Sequence, residues 1–272
     1  MQTNLISKGN VKLLEAPNIN STGLAIAYFS TRKGGISTGE NGEMNLNLFK
    51  PNDRENSDEN FKIFCSSIGI DPQSLVLGRE KHTANIRIVD RDFCKTDFFA
   101  KGDENIYEYF DAQITNDNEV TLFVYSSDCS VFLFFDPVKK VIATTHAGWK
   151  GSLNGIIPKT ISKMTEYFDV NPADLFVAVG PNIKQCCFEV DKPVCDEFLS
   201  YDNEFKKYIV EKNDKFHIDL DGINTELIVK SGIKPENIAN NTHCTMCEEE
   251  MFHSYRRCKG NNGVNGAVIK LL

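Results

Sequence analysis

The sequence predicts an α+β fold in which mixed, largely antiparallel sheets are covered by helices. Two observations carry this. Four strand-length apolar runs crowd between residues 112 and 145, separated by short polar turns. Segments with a 3.6-residue apolar period stand before and after them, without the regular strand–helix alternation of a doubly wound sheet. With 272 residues, 41% of them hydrophobic and 25% charged, the chain can bury a sizeable core and has the composition of a folded protein. Neither internal repeats nor a Pro- or Ser-rich linker interrupts it, so one domain over 1–272 is expected.

The elements follow in order. Residues 24–30 (LAIAYFS) form an apolar strand that ends at the turn Thr31-Arg32-Lys33-Gly34-Gly35, and a loop follows with alternating apolar positions at Met44, Leu46 and Leu48. Phe61, Phe64, Cys65 and Ile68 fall at i, i+3, i+4 and i+7, with Gly69 where a terminating glycine belongs, which predicts a helix over 60–69. A strand near 86–89 opens a long charged and aromatic excursion that reaches Phe110. Residues 112–115, 120–126 and 131–135 are apolar strands in close succession, and 141–145 follows the turn at Asp136-Pro137. Connections this short predict neighbouring, largely antiparallel strands.

Beyond them the period changes. Leu153, Ile156, Ile157, Ile161, Met164 and Phe168 share one helical face, with Pro158 expected to delay or kink the helix. A strand over 175–179 leads to the turn Gly180-Pro181. Helices are expected over 190–199, with Pro193 in the first turn, and over 221–231, closed by Gly232. The chain ends in a strand over 267–271.

Charge and patterning exclude several classes of function. Thirty basic residues against 38 acidic ones give −8, and no stretch gathers enough Lys and Arg to neutralise successive phosphates, so nucleic acid is not the expected partner. The longest apolar runs are strand-length, far short of the ~20 residues of a membrane-spanning helix. Residues 1–17 contain no apolar core of a secretory signal. Nine cysteines, an odd number that includes the adjacent Cys186 and Cys187, fit a reduced, cytoplasmic protein better than a disulfide framework.

Five histidines are few enough to take singly. His146 stands in Thr144-Thr145-His146-Ala147-Gly148-Trp149-Lys150-Gly151, after a strand and before a helix, where small residues let a backbone approach a ligand. Cys129 lies in Ser126-Ser127-Asp128-Cys129-Ser130, a polar interruption between apolar strands. On consecutive strand ends the two suit a Cys–His hydrolytic pair, two ligands of one metal, or a packed thiol beside an unrelated loop histidine. His243-Cys244-Thr245-Met246-Cys247 contains half of a structural zinc motif, but a full site needs two further ligands, and core packing of a turn is the stronger reading. Arg32 could present its guanidinium to phosphate or carboxylate, or be a surface turn cation, and the paired Arg256 and Arg257 could bind an anion or form surface ion pairs.

Taken together these segments resemble one family over nearly the whole chain: the laccase-domain proteins, also named multicopper polyphenol oxidases and, for bacterial members, purine nucleoside phosphorylases. The resemblance is carried by Ser30-Thr31-Arg32-Lys33-Gly34-Gly35-Ile36-Ser37, Asp128-Cys129 with Asp136-Pro137, and His146-Ala147-Gly148-Trp149. Further along it is carried by Gly180-Pro181 with Cys186-Cys187-Phe188-Glu189-Val190, by Cys244-Thr245-Met246-Cys247 and by Ser254-Tyr255-Arg256-Arg257. It implies an α/β/β/α-type layered sandwich and a zinc site made of His82, Cys129 and His146. The sequence departs from the family pattern at Glu80 and Thr83 around His82, at Lys184 and Phe188 in the Cys-Cys segment, and at Cys258.

Three protein ligands with one open position is the arrangement of a catalytic zinc. The implied activity is phosphorolysis of purine nucleosides such as adenosine, inosine and methylthioadenosine, with hydrolytic deamination of adenosine beside it. The metal would activate water for attack at C6 in deamination, and with Arg32 would hold phosphate against the anomeric carbon in phosphorolysis. Asp128 is the candidate proton donor or acceptor, or else orients the ligands from behind. Copper is less suitable, since five histidines are too few for several copper sites. The alternatives are a metal-free hydrolase with Cys129 as nucleophile and His146 as base, a copper-dependent polyphenol oxidase, and a non-catalytic member of the family. The oligomeric state is not legible in the sequence.

Overall fold

A hairpin that apolar periodicity does not announce starts the chain: β1 (Asn4–Lys8) and β2 (Val11–Glu15) pair antiparallel around Gly9, whose φ of +62° glycine adopts without strain. These coordinates are a computed structural model and describe residues 1–49, 53–95 and 109–272. A single turn of helix, α1 (Pro17–Asn20), leads into β3 (Ala25–Ser30). Helix α2 (Arg54–Ser67) closes near Gly69 (φ +71°) as expected but starts six residues early, because its first turns are polar and leave no apolar period to read. Strands β4 (Leu75–Leu77) and β5 (Ile86–Ile88) follow. Residues 96–108, the middle of the predicted excursion, lie outside the described residues.

The central strands are β6 (Ala112–Thr115), β7 (Thr121–Ser126), β8 (Ser130–Asp136) and β9 (Val141–Ala147). Next come α3 (Trp149–Leu153) and α4 (Ile156–Phe168), separated at Gly155, so that Pro158 falls in the first turn of α4 where its missing N–H is not needed. Strand β10 (Phe176–Val179) is followed by β11 (Glu189–Val190), α5 (Lys192–Tyr201), β12 (Ile209–Lys212) and β13 (Lys215–Ile218). Helix α6 (Leu220–Lys230), β14 (Ile238–Ala239), α7 (Tyr255–Cys258) and β15 (Asn265–Leu271) complete the chain.

Two mixed sheets result, ordered β1-β2-β3-β15-β7-β4 and β14-β10-β8-β9-β6-β5, and a small third sheet, β11-β13-β12, sits apart from them. Among the described residues, only the β4–β7, β5–β6 and β10–β14 strand pairs are parallel. The period-2 alternation of side chains sets the layers. Val131, Leu133 and Phe135 of β8 meet Leu122, Val124, Ala267 and Ile269 between the two sheets, whereas Phe132 and Phe134 face Ile157, Ile161 and Met164 of α4 and Ile223 of α6. On the far side of the first sheet, Phe123 and Val268 pack on Phe61 and Phe64 of α2. The layers are therefore helix, sheet, sheet, helix.

One expectation needs correction. β8 and β9 do form the predicted antiparallel hairpin, but β7 pairs with neither β6 nor β8; it lies between β15 and β4 in the opposite sheet. β7 is apolar on both faces, which suits an inner strand as well as a hairpin arm. The link 127–129 has three residues, and an extended chain of that length reaches about 10 Å, which is about the spacing of stacked sheets. Ser127, Asp128 and Cys129 are thereby carried on a crossing between the sheets.

Candidate metal centre and its cavity

Three of the histidine and cysteine candidates converge. His146 is the penultimate residue of β9, and the β8–β9 register sets Ser130 opposite Ala147, so Cys129 arrives one step further on, beside Gly148. His82 comes from the β4–β5 loop with φ +58°. The ligand atoms of His82, Cys129 and His146 all lie within 4.8 Å of one another. Cys129 Sγ stands 3.6 Å from His82 Nε2, and the two imidazole rings are 4.9 Å apart at a steep angle. For a tetrahedral ion with metal–sulfur and metal–nitrogen bonds of ordinary zinc length, the sulfur–nitrogen separation is about 3.6 Å, so the donor set fits such an ion. Gly148 is part of this arrangement, since a Cβ there would stand 2.7 Å from His82 Cδ2 and 2.9 Å from Cys129 Sγ.

Asp111, which sequence reading passed over, holds the cluster together. Its Oδ1 pairs with His146 Nδ1 at 2.9 Å and accepts from the His82 N–H at 2.9 Å, while Oδ2 accepts from the Thr83 N–H at 2.8 Å and the Thr83 hydroxyl at 2.6 Å. One carboxylate thus aims His146 and shapes the loop that presents His82, the outer partner a metal-binding imidazole usually has. Nothing in its neighbours, Phe110 and Ala112, marks it in the sequence; only its place at the start of β6, next to β9, does.

The electrostatics match. Burial pushes the Cys129 thiol up, but the His146 and His82 imidazoles outweigh it and bring the thiol down to about 6. Burial likewise lowers His146, yet the Cys129 sulfur and the Asp111 carboxylate leave it raised well above its ordinary value. Asp111, despite burial, is brought down to about 2 by its bonds from His146 and Thr83. Glu80, which stands in the segment that departs from the family pattern, is pushed up by burial to about 8, with only partial opposition from His146.

The cluster opens on a cavity of about 640 Å³ whose walls include Trp149, Phe188, Leu220, Tyr255, Arg256 and Asn262. Asp128 lines it too, but both of its carboxylate oxygens are engaged: Oδ1 accepts from the Thr245 hydroxyl at 2.6 Å, and Oδ2 from the Ser254 hydroxyl at 3.0 Å and the Arg256 N–H at 2.7 Å. Its backbone sits at φ +90°, and its carbonyl accepts from Ile183 N. Asp128 ties three loops to the β7–β8 crossing.

Arg32 requires a correction, because it does not line this cavity. Its Nε, Nη1 and Nη2 donate to the carbonyls of Gly42, Glu249 and Glu40 at 2.5, 3.0 and 3.1 Å, and it lines a separate cleft with Lys33, Glu43 and Glu250. A guanidinium with each of its three nitrogens bonded to a main-chain carbonyl secures a loop. Among the described residues, the Lys or Arg that lines the metal-side cavity is Arg256, whose Nη1 donates to Cys187 O at 3.1 Å and whose guanidinium lies 5.9 Å from the Phe188 ring centre. Arg257, by contrast, spends its donors on the carbonyls of Thr245, Met246 and Phe252. Arg257 thus holds main-chain carbonyls, not the surface ion pair offered by the sequence, while Arg256 lines the cavity.

The model of the family described as multi-copper polyphenol oxidoreductase laccase matches residues 26–272. The chain belongs to this family. It is 29% identical over 241 residues to purine nucleoside phosphorylase YlmD of Bacillus subtilis, covering 88% of this chain and 85% of that one. It is 28% identical over 242 residues to adenosine deaminase RL5 of an unknown prokaryotic organism, covering 88% and 91%. The crystal structure of Bacillus licheniformis hypothetical protein YfiH superposes with a TM-score of 0.87 at 26% identity over 99% of both chains. Family membership bears out the resemblance read from the motifs, and the layered α+β fold is shared with a solved relative. Among the described residues, no helix of the chain is long and apolar enough to cross a membrane.

Proposed function

We propose that this family member is a zinc-dependent purine nucleoside phosphorylase that also deaminates adenosine. Adenosine, inosine or methylthioadenosine and phosphate would be its substrates, and free base and ribose 1-phosphate its products. The observation that carries the reading is a His–Cys–His donor set at metal-ligand spacing, opening on a cavity large enough for a nucleoside and bounded by aromatic side chains and one arginine. The names carried by relatives at 28–29% identity support the same class of reaction.

His82, Cys129 and His146 would hold the ion, leaving a fourth position toward the cavity. When bound, zinc supplies Lewis-acid activation of an oxygen nucleophile, either phosphate or water. The chain's own residues do the rest. Asp111 keeps His146 in the orientation that turns Nε2 inward. Trp149, Phe188 and Tyr255 offer ring faces to a purine, and the Arg256 guanidinium offers a positive fork to phosphate. Asp128 fixes the Arg256 main chain and so the position of that fork.

Zinc is preferred to copper for a structural reason. Among the described residues, His217, His243 and His253 belong to no gathering of potential metal ligands, so no second imidazole-rich centre is assembled. A cysteine hydrolase using Cys129 and His146 is favoured by the lowered thiol, but it leaves the close approach of His82 to the sulfur without a purpose. We read the chain 1–272 as one catalytic domain, with the unprotected thiolate ligand suited to the reducing cytoplasm.

The test is elemental analysis together with an adenosine assay run with and without phosphate. Adenine that forms only with phosphate establishes phosphorolysis, and inosine establishes deamination. Loss of one zinc per chain and of both products in Cys129→Ala supports the centre; full activity in metal-free protein refutes it.

A further inference from the structure

The structure holds a second gathering of thiols that the reading above does not use. Strands β10 and β14 are parallel neighbours at one edge of their sheet, so the chain segments leaving their ends run side by side, with Asn182 bridged to Cys244 and the Thr245 N–H donating to Asn182 O at 3.0 Å. This brings Cys186-Cys187 against Cys244-x-x-Cys247. The four sulfurs lie within 4.8 Å of one another. Individual separations are 3.6 Å for Cys186–Cys187, 3.7 Å for Cys186–Cys244, 3.8 Å for Cys186–Cys247 and 3.3 Å for Cys187–Cys247.

Those lengths have a specific meaning. Four thiolates around a tetrahedral ion at the usual zinc–sulfur distance are about 3.8 Å apart, whereas disulfide-bonded sulfurs would stand about 2.05 Å apart. The Lys184 N–H donates to Cys244 Sγ at 3.5 Å, the main-chain hydrogen bond that stabilises a thiolate. Hydrophobic packing does not account for the group, since Cys186 and Cys247 are exposed, unlike Cys65 and Cys195, which sit singly in the core.

We infer that Cys186, Cys187, Cys244 and Cys247 form a second metal centre, a four-thiolate structural zinc site distinct from the His82–Cys129–His146 cluster. Each thiol gives its proton to solvent as the ion binds, so retention of the metal weakens as pH falls. Four sulfur ligands leave no open position, which makes the site structural. What it would hold is the wall of the cavity: Cys187 O receives Arg256 Nη1, Phe188 and Ile183 line the cavity, and Thr245 bonds Asp128.

Metal content decides the matter separately from the activity. Protein purified under reducing conditions should carry about two zinc ions per chain, and Cys129→Ala about one, with X-ray absorption showing four sulfurs at about 2.3 Å around the ion that stays. The double variant Cys186→Ser/Cys247→Ser should lose that ion. If the double variant fails to fold, Co2+ titration of demetallated wild-type protein takes its place, with sulfur-to-cobalt charge-transfer absorption expected on binding in Cys129→Ala as well. The inference is overturned if reduced Cys129→Ala holds no zinc, if its metal is iron, or if the four cysteines are found as disulfides. A wild type with about one zinc, kept in Cys129→Ala, would sink the His–Cys–His reading and leave this one standing.

Discussion

Gly148→Ala isolates the geometry of the metal centre from the stability of the fold. Gly148 has φ −64° and ψ 165°, which any residue adopts, so the substitution strains no backbone. Its whole effect is the added methyl group. To restore ordinary contact, His82 Cδ2 must retreat from 2.7 Å to at least 3.4 Å, and Cys129 Sγ from 2.9 Å to the same limit. Metal ligands tolerate displacements of only about 0.2 Å. Zinc affinity should therefore fall by about 10- to 100-fold, the range seen when ligand support is lost. Stability should change little, because the reduced freedom of the unfolded chain, worth about 0.4–1 kcal/mol, opposes a loss of similar size from placing alanine at the N-cap of α3. Chelator competition measures the affinity, urea unfolding the stability, and adenosine phosphorolysis the consequence. A variant that binds zinc as tightly as the wild type would refute the claim that the three side chains converge on one ion beside Gly148.

Other outcomes follow from the same contacts. Asp111→Asn keeps the shape but puts an amide where the Thr83 and His82 donors need an acceptor; it should cost about 1–3 kcal/mol in urea unfolding and lower zinc affinity by about tenfold or more. Arg256→Ala should raise the KM for phosphate at least tenfold, whereas Arg32→Ala should leave that KM unchanged and destabilise the protein by about 2 kcal/mol through its three abandoned carbonyls; the reverse pattern would return Arg32 to the site. Glu226 is brought down to about 2 by Lys207, Lys230 and the Tyr208 hydroxyl. A carboxyl lowered in the folded state stabilises above its unfolded value and loses that contribution as pH falls toward 2. Because both lysines are about half exposed, the gain is discounted to about 1 kcal/mol, so Glu226→Gln should lower stability by that amount at pH 7 and by much less at pH 3. An undiminished difference at pH 3, or one insensitive to salt, would show that the carboxylate acts by packing instead.

Where periodicity was strong, sequence reading and structure agree. The 3.6-residue pattern of α4 and the runs that became β8 and β9 reflect burial on defined faces, which a local window records. The β1–β2 hairpin and the small β11-β13-β12 sheet escaped it because their strands are short and half exposed, with burial supplied by distant neighbours. The crossing of β7 to the opposite sheet escaped for a different reason: a strand apolar on both faces fits beside β8 or across from it, and only β15, far along the chain, decides which.

The candidate centre divides the same way. Residue type and local motif singled out Cys129 and His146 as chemistry-bearing, and the motif pattern added His82 and the family to which the chain belongs. What tertiary structure alone decided was which charged groups reach the cavity. Asp111 entered because β6 lies against β9, Arg32 left because its loop closes on main-chain carbonyls, and of the two adjacent arginines Arg256 lines the cavity while Arg257 binds main-chain carbonyls. A side chain's identity and its local element are written in neighbouring residues; the partner that orients it or takes up its charge comes from whichever segment the fold lays beside it.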